Sequence, residues 1–320
     1  MRLAWVVTRN SYLALALIPT SFTVAAWYHH VVGHPEQVSR AHLFFAWTGF
    51  LCLPLSVALL AVAPAAYALE GVTGGASMGA LDAIQRAWAR WTCWPLFFRP
   101  EIVGAEIVAA LHARGEAVVF VSNHKSWADI YSLLWLPVPI KFVSKQQIFY
   151  IPVVGWSMGL LGHVSVPSRA DRARDRSDAA LPAKSAGVGA GAGLGPGSGS
   201  GSGRPGSGSP VVDACVKRLQ GGSSIYIFAE GTRSRDGYVQ PFKQGAFVIA
   251  KRSGCRIVPI SISGTGRLMP PNRGETWLEN GAHAPVTLVV HEPIDPRDFD
   301  SVEAMQERTR EIIESRIMSY

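Results

Sequence analysis

A pair of uncharged, mostly apolar runs near the start of the chain, residues 12–28 and 43–69, restricts its fold more than any other feature. About 20 apolar residues match the hydrocarbon core of a bilayer, and the second run exceeds that with room for tilt. The first is interrupted by Pro19 and Thr20, so it suits a signal anchor, a tilted span or a re-entrant helix. The more polar stretch 29–42 joins the two. Arg2 and Arg9 precede the first run, and Arg86, Arg90 and Arg99 follow the second. A hairpin with both ends cytosolic satisfies the positive-inside rule. Residues 1–75 are therefore expected to anchor the chain in a membrane. A cleaved signal peptide is a weaker account, because the second run would still hold the chain there.

Composition agrees. Hydrophobic residues make up 48% and charged residues 17%, a low share for a soluble enzyme. The formal charge of +7 calls for an anionic partner: nucleic acid, an acidic lipid surface or a phosphorylated substrate. The apolar content selects membrane lipids and argues against nucleic acid. Cys52, Cys93, Cys215 and Cys255 form no C-x-x-C pair, so free thiols in a reducing compartment are expected, with no metal site. In residues 81–98, Arg86 and Arg90 interleave with Trp88, Trp91 and Trp94. Such a helix suits the lipid interface, and equally a core helix with snorkelling arginines.

Residues 76–320 read as one α/β domain. Short apolar runs at 117–122, 140–144, 224–229, 256–263 and 285–291 predict strands, and 126–135, 242–252 and 301–317 predict helices. That alternation implies a sheet covered by helices. Residues 186–209, almost all Gly, Ser, Ala and Pro, are expected to form a flexible surface insertion and no domain boundary. The arginines before it alternate with Asp171, Asp175 and Asp178, the pattern of a solvated face.

Two segments carry chemistry. The first is Asn123-His124-Lys125-Ser126-Trp127-Ala128-Asp129, where a predicted strand gives way to a helix. The Asp129 carboxylate can reach back to one nitrogen of His124 and leave the other free as a general base. Ser126-x-x-Asp129 also has capping-box spacing, so Asp129 could simply cap the helix. The second is Phe228-Ala229-Glu230-Gly231-Thr232-Arg233-Ser234, again after a strand. Gly231 permits a tight turn. Arg233 can fork onto a phosphate, with Thr232 and backbone amides as further donors. Glu230 could accept from a glycerol hydroxyl or hold the arginine. A charged β-turn with a surface Glu–Arg pair is the plainer alternative.

These two motifs, in this order and each after a strand, resemble the glycerolipid acyltransferases, whose best-known members are the 1-acylglycerol-3-phosphate acyltransferases. Asn123, His124 and Asp129 match that family's Asn-His-x-x-x-x-Asp, and Glu230 to Ser234 its Glu-Gly-Thr-Arg-Ser. Lys145, then Ile151, Pro152 and Gly155, match the intervening Lys and Ile-Pro-x-x-Gly; Phe242, Lys243 and Gly245 match Phe-Lys-x-Gly; Val258, Pro259 and Ile260 match a Val-Pro-Ile strand. The likeness covers about residues 100–265. One departure lies in Gly162-His163-Val164-Ser165-Val166-Pro167-Ser168-Arg169, where the family's arginine is displaced by one residue and no acid precedes it.

The resemblance implies direct acyl transfer from acyl-CoA or another acyl thioester, such as an acyl carrier, as co-substrate and without a resident cofactor. His124 would deprotonate the acceptor hydroxyl and Asp129 would orient it. Glu230, Gly231, Thr232, Arg233 and Arg169 would hold the glycerol phosphate. Lys145 and Lys243 would meet donor phosphates or the lipid surface, or simply be solvated. Val258, Pro259 and Ile260 would wall the acyl pocket or form an ordinary core strand end. The implied acceptor is lysophosphatidic acid, acylated at its sn-2 hydroxyl to phosphatidic acid; glycerol 3-phosphate and other lysophospholipids are the alternatives. The implied location is a membrane facing the cytosol, the endoplasmic reticulum first, with an organelle or bacterial inner membrane also open. Two rivals stand against this. Gly155-Trp156-Ser157-Met158-Gly159 matches the nucleophile elbow of serine hydrolases. A membrane scaffold would account for the apolar helices but not for the co-occurrence of His124, Asp129 and Glu230 to Arg233.

Overall fold

The structure, a computed structural model, describes residues 57–59, 61–66, 68–69, 76–93, 99–150, 154–167, 209–234, 238–268 and 285–317. The run 12–28, most of 43–69, the insertion 186–209 but for its last residue, and Arg169 lie outside the described residues. In chain order the elements are α1 (Ala76–Cys93), β1 (Glu101–Val103), α2 (Ala105–Ala113), β2 (Val119–Ser122), α3 (Ala128–Leu133), β3 (Lys141–Lys145), α4 (Gln146–Phe149), α5 (Val154–Leu160) and β4 (Val164–Val166). Then follow α6 (Pro210–Gln220), β5 (Ile225–Phe228), α7 (Gly245–Ser253), β6 (Ile257–Ser263), α8 (Thr265–Leu268), β7 (Thr287–Val290) and α9 (Val302–Glu314).

The seven strands form one sheet in the order β1-β7-β6-β2-β5-β3-β4. Strands β6, β2, β5, β3 and β4 run parallel, whereas β7 is antiparallel to β6 and β1 is parallel to β7. The sheet is therefore mixed at one edge and parallel through its centre. Alternation along β2 divides the core into two layers. Phe120 joins a cluster with Leu133, Tyr226, Val258, Ile260 and Ile262, beneath α1, α2 and α3. Val119 and Val121 face the other way, into a cluster with Cys215, Phe247, Ile249 and Met305 from α6, α7 and α9. The covering helices owe their faces to spacing: Met305, Thr309 and Ile313 on α9 recur every four residues and are all buried. Ser301 caps that helix by accepting the Ala304 N–H at 3.0 Å.

A proline in the middle of a sheet needs an account, because it has no N–H to give the ladder. Pro259 sits opposite Val121 on β6. Its carbonyl accepts the His291 N–H at 3.0 Å, so its missing N–H faces the same way. That side faces the residues just after Val290, where β7 ends. The proline thus gives up one bond to the stretch that follows β7 and none to β2.

Helix α1 fits the core-helix alternative on one face, where Trp88 also packs against the core, and keeps Arg90 and Trp91 exposed on the other. Leu81, Gln85, Ala89 and Cys93, spaced by four, are buried, while Trp91 is 59% exposed. Polar contacts bind α1 to β3. Lys141 forms a buried ion pair with Asp82. The Phe142 N–H donates to His163 Nδ1 at 2.7 Å, so Nε2 carries the ring proton and faces the Gln85 carboxamide at 3.0 Å. The residues of run 43–69 that are described, 57–59, 61–66 and 68–69, are all helical. Leu59, Ala63 and Ala66 pack against Leu81, Leu160 and Leu161. Among the described residues no helix is long and apolar enough to cross a membrane.

Burial, reinforced by the Lys141 and Arg218 charges, pulls the His163 imidazole well below its usual range. An unfolded chain takes up a proton there near pH 6.5, and the folded chain resists it. The contribution of His163 is thus present above about pH 6.5 and lost as pH falls, at roughly 1.4 kcal/mol per pH unit. His291, lowered chiefly by burial, acts with the same sign. The melting temperature should fall between pH 7.5 and 5.5, and His163→Gln should reduce the slope. An equal slope in that variant would contradict the assignment.

Candidate active site

The site is built where two neighbouring parallel strands end. Ser122 of β2 lies opposite Phe228 of β5, so the loops after each strand leave the sheet side by side. Asn123 fixes the first loop. Its side chain donates to the Ile262 carbonyl at 2.9 Å and accepts the Ile262 N–H at 2.8 Å, reproducing with a carboxamide the paired bonds of a strand residue. His124 follows, with its Nδ1 2.7 Å from Asp129 Oδ2. A carboxylate only accepts, so Nδ1 carries the proton and Nε2 presents its lone pair away from the carboxylate. The His124 side chain is 15% exposed and that of Asp129 is fully buried.

Asp129 both ties down the loop before α3 and orients the histidine. The same Oδ2 accepts the Lys125 N–H at 2.7 Å and the Ser126 N–H at 2.8 Å, while Ser126 Oγ accepts the Ala128 N–H at 3.1 Å. These loop bonds lock the carboxylate in the position that steers the imidazole. From the other side Phe228 stacks on the His124 ring, centroids 3.9 Å apart and planes 18° from parallel. Below, the Tyr226 hydroxyl is pushed well above its usual range by burial, opposed by Ser122 and reinforced by the Asp129 charge. It stays neutral under the pair.

The second motif is bolted to the first. Glu230 Oε1 accepts the His124 N–H at 2.6 Å, and Oε2 accepts the Gln240 N–H at 3.0 Å. The Ser234 N–H donates to the His124 carbonyl at 2.8 Å. Glu230 is 2% exposed, and burial raises its carboxyl above the usual range against those two N–H donors. Its contacts are with backbone amides, so it braces the two loops and does not pair with Arg233. Gly231 has φ +67°, and a Cβ there would meet Lys243 Nζ. The Lys243 side chain therefore lies over the turn, and the residue's backbone N–H donates to the Ala229 carbonyl at 2.8 Å. Thr232 is exposed and Arg233 half-buried. The Arg233 guanidinium lies 5.7 Å from the Trp127 ring centre. That aromatic face aims the arginine at modest cost. Trp127→Ala should raise KM for a phosphorylated acceptor roughly two- to fivefold with kcat little changed; a fall in kcat alone would argue against this role.

Elsewhere the expected residues divide. Lys145 ends β3 at the same end of the sheet and is exposed. Val258 and Ile260 are fully buried in the core cluster beneath α3, as an ordinary core strand would be. The hydrolase elbow fails on geometry: Ser157 lies in mid-α5, not on a turn between strand and helix. Gly155 serves packing, since a Cβ there would come 2.3 Å from the Phe149 backbone. Burial pushes the Cys93 and Cys215 thiols up to about 12, which leaves them unreactive. The sequence reading gave no role to Asn123 beyond the motif, nor to Trp127 or Phe228. Their only sequence signal was adjacency to the motif residues.

The profile of the Acyltransferase family matches residues 99–263. A 1-acyl-sn-glycerol-3-phosphate acyltransferase of Chlamydomonas reinhardtii is 35% identical over 257 residues, 80% of this chain and 64% of that protein. A chloroplastic 1-acyl-sn-glycerol-3-phosphate acyltransferase of Brassica napus is 35% identical over 66% of this chain and 49% of its own length. The chain thus spans about half to two thirds of these relatives. The crystal structure of the 1-acyl-sn-glycerophosphate acyltransferase PlsC from Thermotoga maritima aligns with a TM-score of 0.49 and 22% identity, over 82% of this chain and 95% of that one.

Proposed function

This chain belongs to the acyltransferase family, and on that premise we propose that it transfers a fatty acyl group from an acyl thioester to the sn-2 hydroxyl of 1-acylglycerol 3-phosphate, giving phosphatidic acid. The observation that carries the reading is the 2.7 Å contact between His124 and Asp129, in a loop joined to the Glu230–Arg233 turn through the His124 N–H. Base and anion-binding turn are thereby held as one unit. The acceptor's phosphate lies against Arg233, with Lys243 over the same turn and Arg169 as a further candidate. Its hydroxyl gives its proton to His124 Nε2 while the oxygen attacks the thioester carbonyl. The Asp129 carboxylate stabilises the imidazolium so formed. Collapse of the tetrahedral intermediate expels the thiolate, which takes the proton back from Nε2. The acceptor is itself the nucleophile, so no acyl-enzyme forms. Acyl-CoA is the proposed donor, an acyl carrier protein the alternative, and Val258, Pro259 and Ile260 remain proposed for the acyl pocket.

We place the chain at a membrane through the apolar runs 12–28 and 43–69, so that acceptor and product stay in the bilayer. The chloroplastic name of the Brassica relative supports a plastid or bacterial-type membrane in place of the endoplasmic reticulum. Purified full chain in neutral detergent, given an acyl-CoA and a panel of acceptors, should acylate lysophosphatidic acid faster than glycerol 3-phosphate or lysophosphatidylcholine. Equal or faster turnover with another acceptor would overturn the acceptor assignment. Abolition of turnover by a fluorophosphonate that labels Ser157 would overturn the reaction class.

A further inference from the structure

A second basic site lies at the opposite end of α3 from His124. Arg90 in the last turn of α1, Arg99 and Pro100 leading into β1, Ile102 of β1 and Trp135 beyond α3 line an open cavity of about 500 Å³. The six residues of α3 separate it from the catalytic loop, roughly 9 Å at 1.5 Å per residue. Arg90 lies with its guanidinium 5.7 Å from the Trp135 ring centre. Both arginines are exposed, and among the described residues no carboxylate pairs with either. The acyl-transfer mechanism leaves both of them unused.

We propose that this groove binds the phosphate of an anionic phospholipid headgroup. Two guanidinia in one cavity match the oxygens of a phosphate. Pro100, Ile102 and the Trp135 ring give the groove apolar walls beside its charge. That combination suits a headgroup carrying its glycerol and carbonyl region better than a fully hydrated ion. Trp91, next to Arg90 and 59% exposed, adds the amphipathic ring typical of a lipid–water interface. The net charge of +7 has the sign that an anionic surface requires. The site orients the catalytic domain on the bilayer and stands independently of the acyl-transfer reading.

The test uses the full chain purified in neutral detergent, with lipid adducts counted by native mass spectrometry as dioleoylphosphatidylglycerol or dioleoylphosphatidylcholine is titrated in. The wild type should retain phosphatidylglycerol over phosphatidylcholine. R90Q/R99Q should lose that preference at least about tenfold, since each basic residue at an anionic surface is worth roughly fivefold; R99Q alone should lose roughly fivefold. R297Q/R308Q, which removes the same charge from exposed positions elsewhere, should bind as the wild type does. Undiminished phosphatidylglycerol retention in R90Q/R99Q would overturn the proposal. So would displacement of phosphatidylglycerol by desulfo-CoA together with loss of desulfo-CoA binding in that variant, because the groove would then belong to the soluble donor. Binding is read without turnover, so an inactive preparation would count against the acyltransferase reading and leave this result standing.

Discussion

His124→Ala should lower turnover roughly 10²- to 10⁴-fold, the range a positioned general base contributes. The loss should appear in kcat and in kcat/KM alike, because Nε2 acts on the proton only as the oxygen attacks. Acceptor affinity should change little, since Arg233 and the Glu230 brace are untouched. The fold should survive. Removing the imidazole takes away a ring stacked at 3.9 Å on Phe228, worth about 1 kcal/mol. It leaves Asp129 with two backbone N–H donors still in place. Steady-state kinetics and a thermal melt on one preparation check both halves. Full activity in the variant would contradict the assignment of the base.

Asp129→Asn should produce the second large effect, with a different signature. The amide oxygen can replace Oδ2 and keep the Lys125, Ser126 and His124 donors, so the geometry is largely preserved. Its NH₂ then occupies the place of Oδ1, which is buried and has no hydrogen-bond partner among the described residues. A buried donor without an acceptor costs about 1–3 kcal/mol of stability. If the amide instead turns its nitrogen toward the histidine, the ring is driven to the wrong tautomer. Either way the negative charge that stabilises the imidazolium is gone, and kcat should fall roughly 10²- to 10⁴-fold. Asp129→Asn should therefore be both slower and less stable, whereas His124→Ala should be chiefly slower. A stable and active Asp129→Asn would show that orientation alone suffices.

Much of this was legible in the sequence because the central strands are short apolar runs ending at marked loops. The run 117–122 became β2, 256–263 became β6, and the closing amphipathic stretch became α9, each within a few residues. The strands at the sheet margins, β1 and β4, were missed. Each has only three residues, too few for any periodicity to show. The helical pattern of α2 went unassigned as well, although its apolar residues pack under the sheet. At the site, the partnership of His124 with Asp129 could be foreseen, because five residues across a turn bring the two within reach. The role of Glu230 could not. Whether a buried acid meets an arginine or two distant amides depends on the loop of Gln240, and nothing in the local sequence specifies that.

Asn123 ties the general base to the register of the sheet. Its carboxamide takes a rung of the ladder beside Ile262, so the histidine inherits the rigidity of β6 and moves only if that rung opens. A tethered base cannot swing to admit or release the two-chain lipid of the proposed reaction. Access must come from the parts around it, the helices over the sheet, while the proton-transfer geometry stays set between turnovers.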